Sequence, residues 1–566
     1  MNQTRTFLVF ALLFVAYLLW TTWQTDYATA PVSAASPATT TALPASGSAT
    51  PTATAAATTQ TAPRAPEIPA VATREQTPGE QIHVRTDLLD LGIDTRGGTL
   101  DRAELLDYAV EPGQPARVDL LHAGAADYFV AQSGLVSANG KAPDHTAVFR
   151  AAQTTYTLAP GQDTLNVDLT WTDAASGVSV LKRYTFTRGS YVVTLTQQVI
   201  NRGTAPWTGN AYEQLTRVAP PAPNSHLFGL SDPASHSYNG PAWYGPADKF
   251  QKLPYEKVAS EPLDKSVSGG WVAMVQHYFL AAWIPGNAGA QTFQSAAVNA
   301  AGSIRYVMRT LGPAFTVAPG QTAGSTANLF VGPKLQNLLQ QTAPGLELTV
   351  DYGMFTVLAQ PLHWVLVELH RLTHNWGLAI ILLVLLIKAV FFKLSEKQYT
   401  SAAKMRKLAP RIQALKERYG DDKVKMQQSM MELYQKEKAN PLAGCWPMLV
   451  QIPVFFALYW VLLESVELRQ APFFGWLQNL SAPDPYFVLP ILNAAVMLAQ
   501  QFLTPMVGMD PTQAKIMKAM PLLFAFMFAF FPSGLVLYWV TNGLTGLLQQ
   551  WFIMRRYNAR DAKAAA

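Results

Sequence analysis

The sequence is poor in charge and nearly without cysteine. Asp, Glu, Lys and Arg together make up 14% of the chain and are almost missing from several apolar runs between Phe7 and Trp551. A water-soluble surface does not tolerate such runs, so a membrane class follows. The lone cysteine, Cys445, excludes an intrachain disulfide and a multi-cysteine metal site, so an external domain must be held by its own core. His122, His226 and His277 are scattered without ligand spacing, and no metal or cofactor is expected. An enzyme signature is also missing. Ser533 before Gly534 is like an intramembrane serine nucleophile, but Phe531 stands where a glycine is expected and no later span holds a histidine.

With 566 residues the chain exceeds one packed core, and at least two domains are expected. Residues 7 to 23 form an apolar stretch of about 25 Å if helical, either a signal peptide or an anchor. Pro31 directly after the small-residue site at Ala28, Thr29 and Ala30 disfavours cleavage, so residues 1–24 are expected to be an uncleaved anchor. Residues 25–80 are mostly Ala, Thr, Pro and Ser, too poor in large apolar groups to order, and read as a flexible linker. Alternation then takes over. Leu165, Val167, Leu169 and Trp171 share one face, as do Tyr184 and Phe186, and then Tyr191, Val193 and Leu195, with turns at Pro160-Gly161 and Arg188-Gly189-Ser190. Residues 271–283 read as a further strand region. Residues 81–340 are therefore expected to be a β-sandwich.

From Phe355 to Leu369 apolar residues recur near helical spacing, interleaved with Gln360, His363 and Glu368, which predicts an interfacial amphipathic helix over 353–373. Spans are expected at 376–392, 446–463, 486–506, 516–531 and 535–551, the last two joined by a tight turn at Pro532-Ser533-Gly534. With the N-terminal anchor this makes about six spans, and residues 376–552 form the core. Residues 394–440 carry eleven Lys/Arg against six Asp/Glu, and Lys515, Lys518 and the basic tail 553–566 continue the bias. These segments are expected in the cytoplasm, with both termini, and the β domain outside.

Lys388 lies inside a span, where it must reach water, pair, or face a protected cavity. Snorkelling is one solution, since Lys393 follows closely; a water-filled cavity is the other and is favoured, because Glu464 and Glu467 belong at the opposite surface. Other spans supply polar positions: Asn542, Thr545 and Gln549 on one helix face, Asn493 and Gln500 on another, and Gln451 near a span's start. Each alone reads as an interhelical hydrogen bond; taken with Lys388, they suggest a hydrophilic groove. Met405, Leu408, Ile412, Leu415 and Tyr419, then Met426, Met430 and Leu433, predict a helical hairpin within 394–440, with Pro410 in its first arm. Its basic residues Lys404, Arg406, Lys407, Arg411, Lys416 and Arg418 form a solvated face, with anionic lipid or ribosomal RNA as less specific ligands.

Several motifs resemble a known family. NPLAGCWP (440–447), QIP (451–453) and ALY (457–459) are similar to the third span of the YidC membrane protein insertases, within the wider YidC/Oxa/Alb family. VELRQAP (466–472), DPY (484–486) and FPSGLVLY (531–538) resemble other segments of its Gram-negative members. The resemblance implies a polytopic α-helical protein of the inner membrane, with a five-span insertase core, an extra N-terminal anchor and a periplasmic β-supersandwich of galactose-mutarotase-like shape. It implies a groove open to cytoplasm and lipid, whose positive charge falls on Lys388 where many members have arginine, leaving a point charge without bidentate geometry. Nascent membrane proteins, the Sec translocon, the ribosome and signal-recognition machinery, and membrane lipid are the partners it implies, and chaperoning is implied beside insertion. Phe524, Phe526, Phe528 and Phe530 are candidates to line the path of a substrate's apolar segment. The 516–531 span is about 24 Å long as a helix, short of a hydrocarbon core of roughly 30 Å, which favours local thinning. The rival expectation is a small-solute transporter binding through Lys388, against which stands the lack of an internal repeat.

Overall fold

The computed structural model describes residues 78–566 except 138–140, 222–236, 287–288, 301, 420–421, 438–445, 504–510 and 566. The expected anchor, most of the linker, His226 and Cys445 lie outside the described residues, as does the side chain of Lys416.

Alternating burial organises the first half. Val167, Leu169, Tyr184, Phe186, Val193 and Leu195 are all buried, and Val193 pairs with Phe186 while Leu195 pairs with Tyr184. The chain turns between these two strands at Gly189, whose φ of 70° suits a residue without a Cβ. Two sheets result. One runs Asp264–Ser268, Ala290–Ala300, Ser303–Leu311, Trp207–Val218, Phe129–Ser137, Thr99–Ala109, Leu89–Asp94, Gln81–Arg85 and Thr155–Thr157, with Phe315–Val317 and Arg117–Leu121 branching from it. The other runs Lys249–Lys252, Gly240–Gly245, Trp271–Val275, Phe279–Pro285, Thr322–Pro333, Val192–Asn201, Val178–Thr187, Thr164–Asp173 and Arg150–Ala151. Pairing is antiparallel except where Gln81–Arg85 meets Thr155–Thr157. The expected strand region at 271–283 is the hairpin Trp271–Val275 and Phe279–Pro285.

Apolar inner faces drive the sheets together, each fully buried large side chain contributing about 1.5–3 kcal/mol. Trp271, Trp283, Tyr184 and Phe330 are fully buried there, and Trp283 donates its indole N–H to Gln214 O of the other sheet at 3.1 Å. Lys182 also crosses the core, donating to Gly97 O at 2.5 Å and to Ser133 O and Oγ at 2.9 and 3.0 Å.

Helices follow in chain order: α1 (Tyr255–Ser260) and α2 (Gln336–Thr342) beside the sheets, then α3 (Thr356–Thr373), α4 (Trp376–Val390), α5 (Phe392–Tyr419), α6 (Lys423–Lys436), α7 (Trp446–Glu464), α8 (Val488–Leu503), α9 (Pro511–Phe528) and α10 (Ser533–Ala565). Local chemistry sets their limits. His374 takes a left-handed conformation that ends α3, and Asn375 Oδ1 accepts the Leu378 N–H at 3.0 Å to cap α4. Asp484 of the DPY motif is buried, accepting from Tyr486 N, Leu489 N and Trp476 Nε1, and so starts α8. Ser533 Oγ donates to Asn479 O at 2.9 Å, tying the start of α10 to the loop before α8.

Among the described residues no single helix is long and apolar enough to cross a membrane; α4 and α5, bent by 69°, have the length and composition together. Large apolar side chains nonetheless face outward all along this half, among them Val390, Phe502, Leu522, Leu548 and Trp551. The β domain is fastened to the end of α7 and the loop that follows it. Lys334 and Glu464 form an ion pair at 3.0 Å with both side chains buried, Arg469 and Gln470 donate to Ala109 O at 2.7 and 2.9 Å, and His277 Nε2 lies 3.0 Å from Leu463 O.

Candidate functional site

Lys388 stands one turn before the break that separates α4 from α5. The bend brings Tyr399 of α5 against α10, where its hydroxyl donates to Gly546 O at 3.3 Å. A Cβ placed on Gly546 would lie 3.1 Å from Gln500 Nε2, 3.6 Å from Tyr399 Oη and 3.9 Å from Lys388 Nζ. Polar tips from α4, α5 and α8 thus converge on one glycine of α10. Gln500 donates to Gly543 O at 2.9 Å, and Gln549 donates to the backbone carbonyl of Lys388 at 3.3 Å. The half-buried Lys388 ammonium makes no hydrogen bond or ion pair among the described residues. An uncompensated charge at such depth needs water or a ligand.

A second polar contact lies further along α10, where Gln451 of α7 donates to Asn542 Oδ1 at 3.4 Å. Asn542 and Gln549 are seven residues, about 10 Å, apart on the helix axis, so the two clusters form a ladder down one face of α10. Asn493 and Thr545 are placed differently. Asn493 is buried with its amide 3.7 Å from Met497 Sδ, and Thr545 Oγ1 bonds back to Thr541 O at 2.7 Å.

The four phenylalanines divide into two pairs, Phe524 with Phe528 on one face of α9, and Phe526 with Phe530, which lies in the turn just past its end. Phe524 stacks on Phe528, which is buried against Trp539, whereas Phe526 is 56% exposed and meets Phe530 edge-on at 5.3 Å. The α5–α6 hairpin closes on Leu408 and Ile412, packed by Met405, Met430, Leu433 and Tyr434, and α5 runs through Pro410. Lys404, Arg406, Lys407, Arg411 and Arg418 are exposed; Arg411 pairs with Glu437 at 2.6 Å and Lys407 lies over the Tyr557 ring.

Sequence reasoning missed Tyr399, Gly543 and Gly546. Two glycines three apart in an apolar helix were a readable sign of close helix approach. Nothing marked Tyr399, which sits in a charged stretch assigned to the hairpin. Among the described residues no three His, Cys, Asp or Glu side chains are grouped to hold a metal. The arrangement offers a point positive charge, amide donors and acceptors, and an apolar flank, which suit binding of a polar chain segment.

Comparison with known proteins agrees with this layout. A family model described as the YidC periplasmic domain matches residues 81–365, and one described as the 60Kd inner membrane protein matches 368–561. The chain is 46% identical over 578 residues to a membrane protein insertase YidC of Thioalkalivibrio sulfidiphilus, covering 100% of each chain. It is 46% identical over 581 residues to one of Xanthomonas axonopodis pv. citri, covering 100% of this chain and 99% of the other. A solved structure of an active YidC insertase with its first transmembrane domain resolved is similar over 85% of this chain and 92% of its own, at 18% identity and a TM-score of 0.36. Identity sustained along the whole length, across both the periplasmic β-rich domain and the inner-membrane domain, shows that the chain belongs to the YidC family of membrane protein insertases.

Proposed function

We propose that this insertase works through a hydrated groove between α4, α7, α8 and α10, open to cytoplasm and lipid, with Lys388 as its fixed positive charge. The observation that carries this reading is the Lys388 ammonium itself, unpaired among the described residues and sharing the space beside Gly546 with Gln500 and Tyr399, while Gln549 bonds to its backbone carbonyl. A substrate's acidic tail enters beside Lys388 while its apolar segment slides along the lipid-facing side of α7 and α9, where Phe526 and Phe530 meet it. Two charges about 4 Å apart gain about 4 kcal/mol at an effective dielectric near 20, enough to draw the tail in. No covalent step is required, and the protein acts as insertase and chaperone rather than as an enzyme.

The same reading places a segment within residues 1–24, then α4, α7, α8, α9 and α10, across the inner membrane as six spans, with α3 along its periplasmic surface. Both termini and the 394–440 hairpin face the cytoplasm, and residues 81–340 form the periplasmic domain. The exposed bases of the hairpin receive the ribosome and signal-recognition machinery, and larger substrates are handled together with the Sec translocon.

Insertion of one substrate carrying an acidic tail, and of its neutralised version, tests the mechanism at matched expression of Lys388 variants. Lys388→Arg is expected to work and Lys388→Ala to fail for the acidic tail alone. Equal insertion of both tails by Lys388→Ala and the parent would make the charge incidental. Solute uptake into liposomes without substrate integration would favour a transporter instead.

A further inference from the structure

A cleft of about 520 Å³ opens between α2, at the end of the β domain, and the polar flank of α3. Gln336, Asn337 and Gln340 line one wall, and Gln360, Glu368 and Arg371 the other. Gln336 is only 8% exposed, yet its side-chain amide makes no hydrogen bond among the described residues. That amide opens onto the cleft, so whatever fills the cleft supplies its hydrogen-bond partner. Such a volume lies within the range of small-ligand sites.

Three features narrow the ligand. Val357, Trp364 and Leu372 of α3 are 83%, 63% and 75% exposed, a pattern that seats a helix among lipid headgroups, and Trp364 stands at the cleft's edge. Arg371 and Glu368, one turn apart on α3, pair at the mouth at 2.8 Å with side chains 63% and 39% exposed, so the pair is weak and opens readily for a ligand. One charge of each sign at the mouth, above amides and a His363 that lies 3.5 Å from Glu467, suits a ligand that also carries both signs; an arginine fork takes phosphate and a carboxylate takes ammonium.

We propose that this cleft binds the headgroup of an amine-bearing zwitterionic phospholipid, of the phosphoethanolamine class, from the leaflet facing the β domain. Arg371 holds the phosphate, Glu368 the ammonium, Gln336 and Gln340 the phosphate and ester oxygens, and the acyl chains leave past Trp364. The site goes beyond the groove mechanism and rests only on α3 lying at the bilayer surface. Bound lipid would pin α3 to α2 and so hold the β domain at a fixed height above the membrane.

The full chain, delipidated in detergent, is to be titrated with dioleoyl phosphatidylethanolamine and followed by native mass spectrometry. One lipid is expected to be retained; Arg371→Gln weakens it about tenfold and Gln336→Leu several-fold, as loss of a charge-assisted and a neutral hydrogen bond should. Glu368→Gln should erase the preference for phosphatidylethanolamine over phosphatidylglycerol. The proposal is overturned by a parent that prefers phosphatidylglycerol, by unchanged retention in all three variants, or by glycerophosphoethanolamine binding as tightly as the lipid. A spin label on Trp364→Cys in a Cys445→Ser background reports separately whether α3 lies at the surface, so failure of that premise is distinguishable from failure of the site.

Discussion

The β domain and the helical half treat polar groups and apolar surface in opposite ways. In the β domain the buried Lys182 and Glu213 are satisfied on the spot: Lys182 donates to Gly97 and Ser133, and Glu213 accepts from Thr310 Oγ1 at 2.8 Å. In the helical half Lys388 is left without a protein partner among the described residues. Apolar surface is reversed too. Only Val110, Val148 and Ile304 are large exposed hydrophobics among the described residues before Met354, whereas from Met354 onward such side chains are frequent. Water is the outer solvent of one half, which must bury its apolar groups. Lipid suits the outside of the other, where the polar groups turn inward.

The joint between the halves should show the largest effect. Lys334 and Glu464 are both buried, so Glu464→Gln strands a charge and is expected to cost about 3–5 kcal/mol. Proteolysis of the full chain in detergent should then cut near residue 334, and adding Lys334→Met should restore much of the loss. A double variant as unstable as the single would mean that the pair does not hold the joint. Next in size is a contrast inside one helix. Phe528→Ala empties a packed site beside Trp539 and should cost about 3 kcal/mol or more, while Phe526→Ala, on the open face, should stay within about 0.5 kcal/mol yet slow insertion. Unfolding in mixed micelles, run beside an insertion assay, separates the two.

What was legible in the sequence follows the same division. Strands with one buried face announce themselves by alternation, so Val167 with Leu169 and Tyr184 with Phe186 were readable, and the hairpin stripe through Leu408 and Ile412 likewise. Sheet order was not, because the parallel contact of His83 with Thr155 joins strands seventy residues apart and depends on the finished sandwich. Lys388 stood out because a charge inside an apolar run is rare. Its neighbours did not all stand out: Gln500 did, but Tyr399 reaches the site only through the 69° bend, and bends between helices leave little trace in composition. The Phe524 to Phe530 series was legible as a set of apolar residues but not in its division between a packed and an open side, which depends on where Trp539 of α10 comes to lie.

Acidity should separate the halves again, by about 1 kcal/mol per pH unit. Burial pushes the Lys182 ammonium down to about 7, opposed by Glu213 and Asp144, and pushes the Glu213 carboxyl up to about 7, opposed by the Thr310 hydroxyl and Lys182. Lysine's folded value lies below its ordinary 10.5, so between about 7 and 10.5 the unfolded chain holds more protons and stability rises with pH. For Glu213 the folded value lies above its ordinary 4.5, so between 4.5 and about 7 the folded chain holds more and stability falls as pH rises. These two groups together contribute least near pH 7; the His145 imidazole, pushed down to about 4 by burial, opposes the Glu213 limb between about 4 and 6.5, so the acid limb is the shallower one. Urea midpoints by pulse proteolysis at pH 5, 7 and 9 check this, with Lys182→Met flattening the alkaline limb and Glu213→Gln the acid one. A single smooth maximum at neutral pH in the parent would refute the pairing of these two burials.

The smallest effect on stability, and the sharpest on function, is expected at Gly546. Its neighbour Gly543 supplies the control, because a Cβ there would fall 2.5 Å from Val496 Cγ1, so Gly543→Ala overpacks the α8–α10 contact and should destabilise by about 1–3 kcal/mol. At Gly546 the nearest atom is the end of a flexible side chain, Gln500 Nε2 at 3.1 Å, and alanine favours the helix by roughly 1 kcal/mol over glycine. Gly546→Ala should thus fold as well as the parent or slightly better. The added methyl instead occupies the point where Gln500, Tyr399 and Lys388 converge, displacing water or substrate from beside the ammonium. Insertion of a substrate with an acidic tail should fall several-fold, and that of its neutralised version should change little. Should both tails insert normally in a Gly546→Ala protein of unchanged stability, the convergence of polar tips on that glycine is a packing detail, and the working charge of the groove must be met elsewhere along α10.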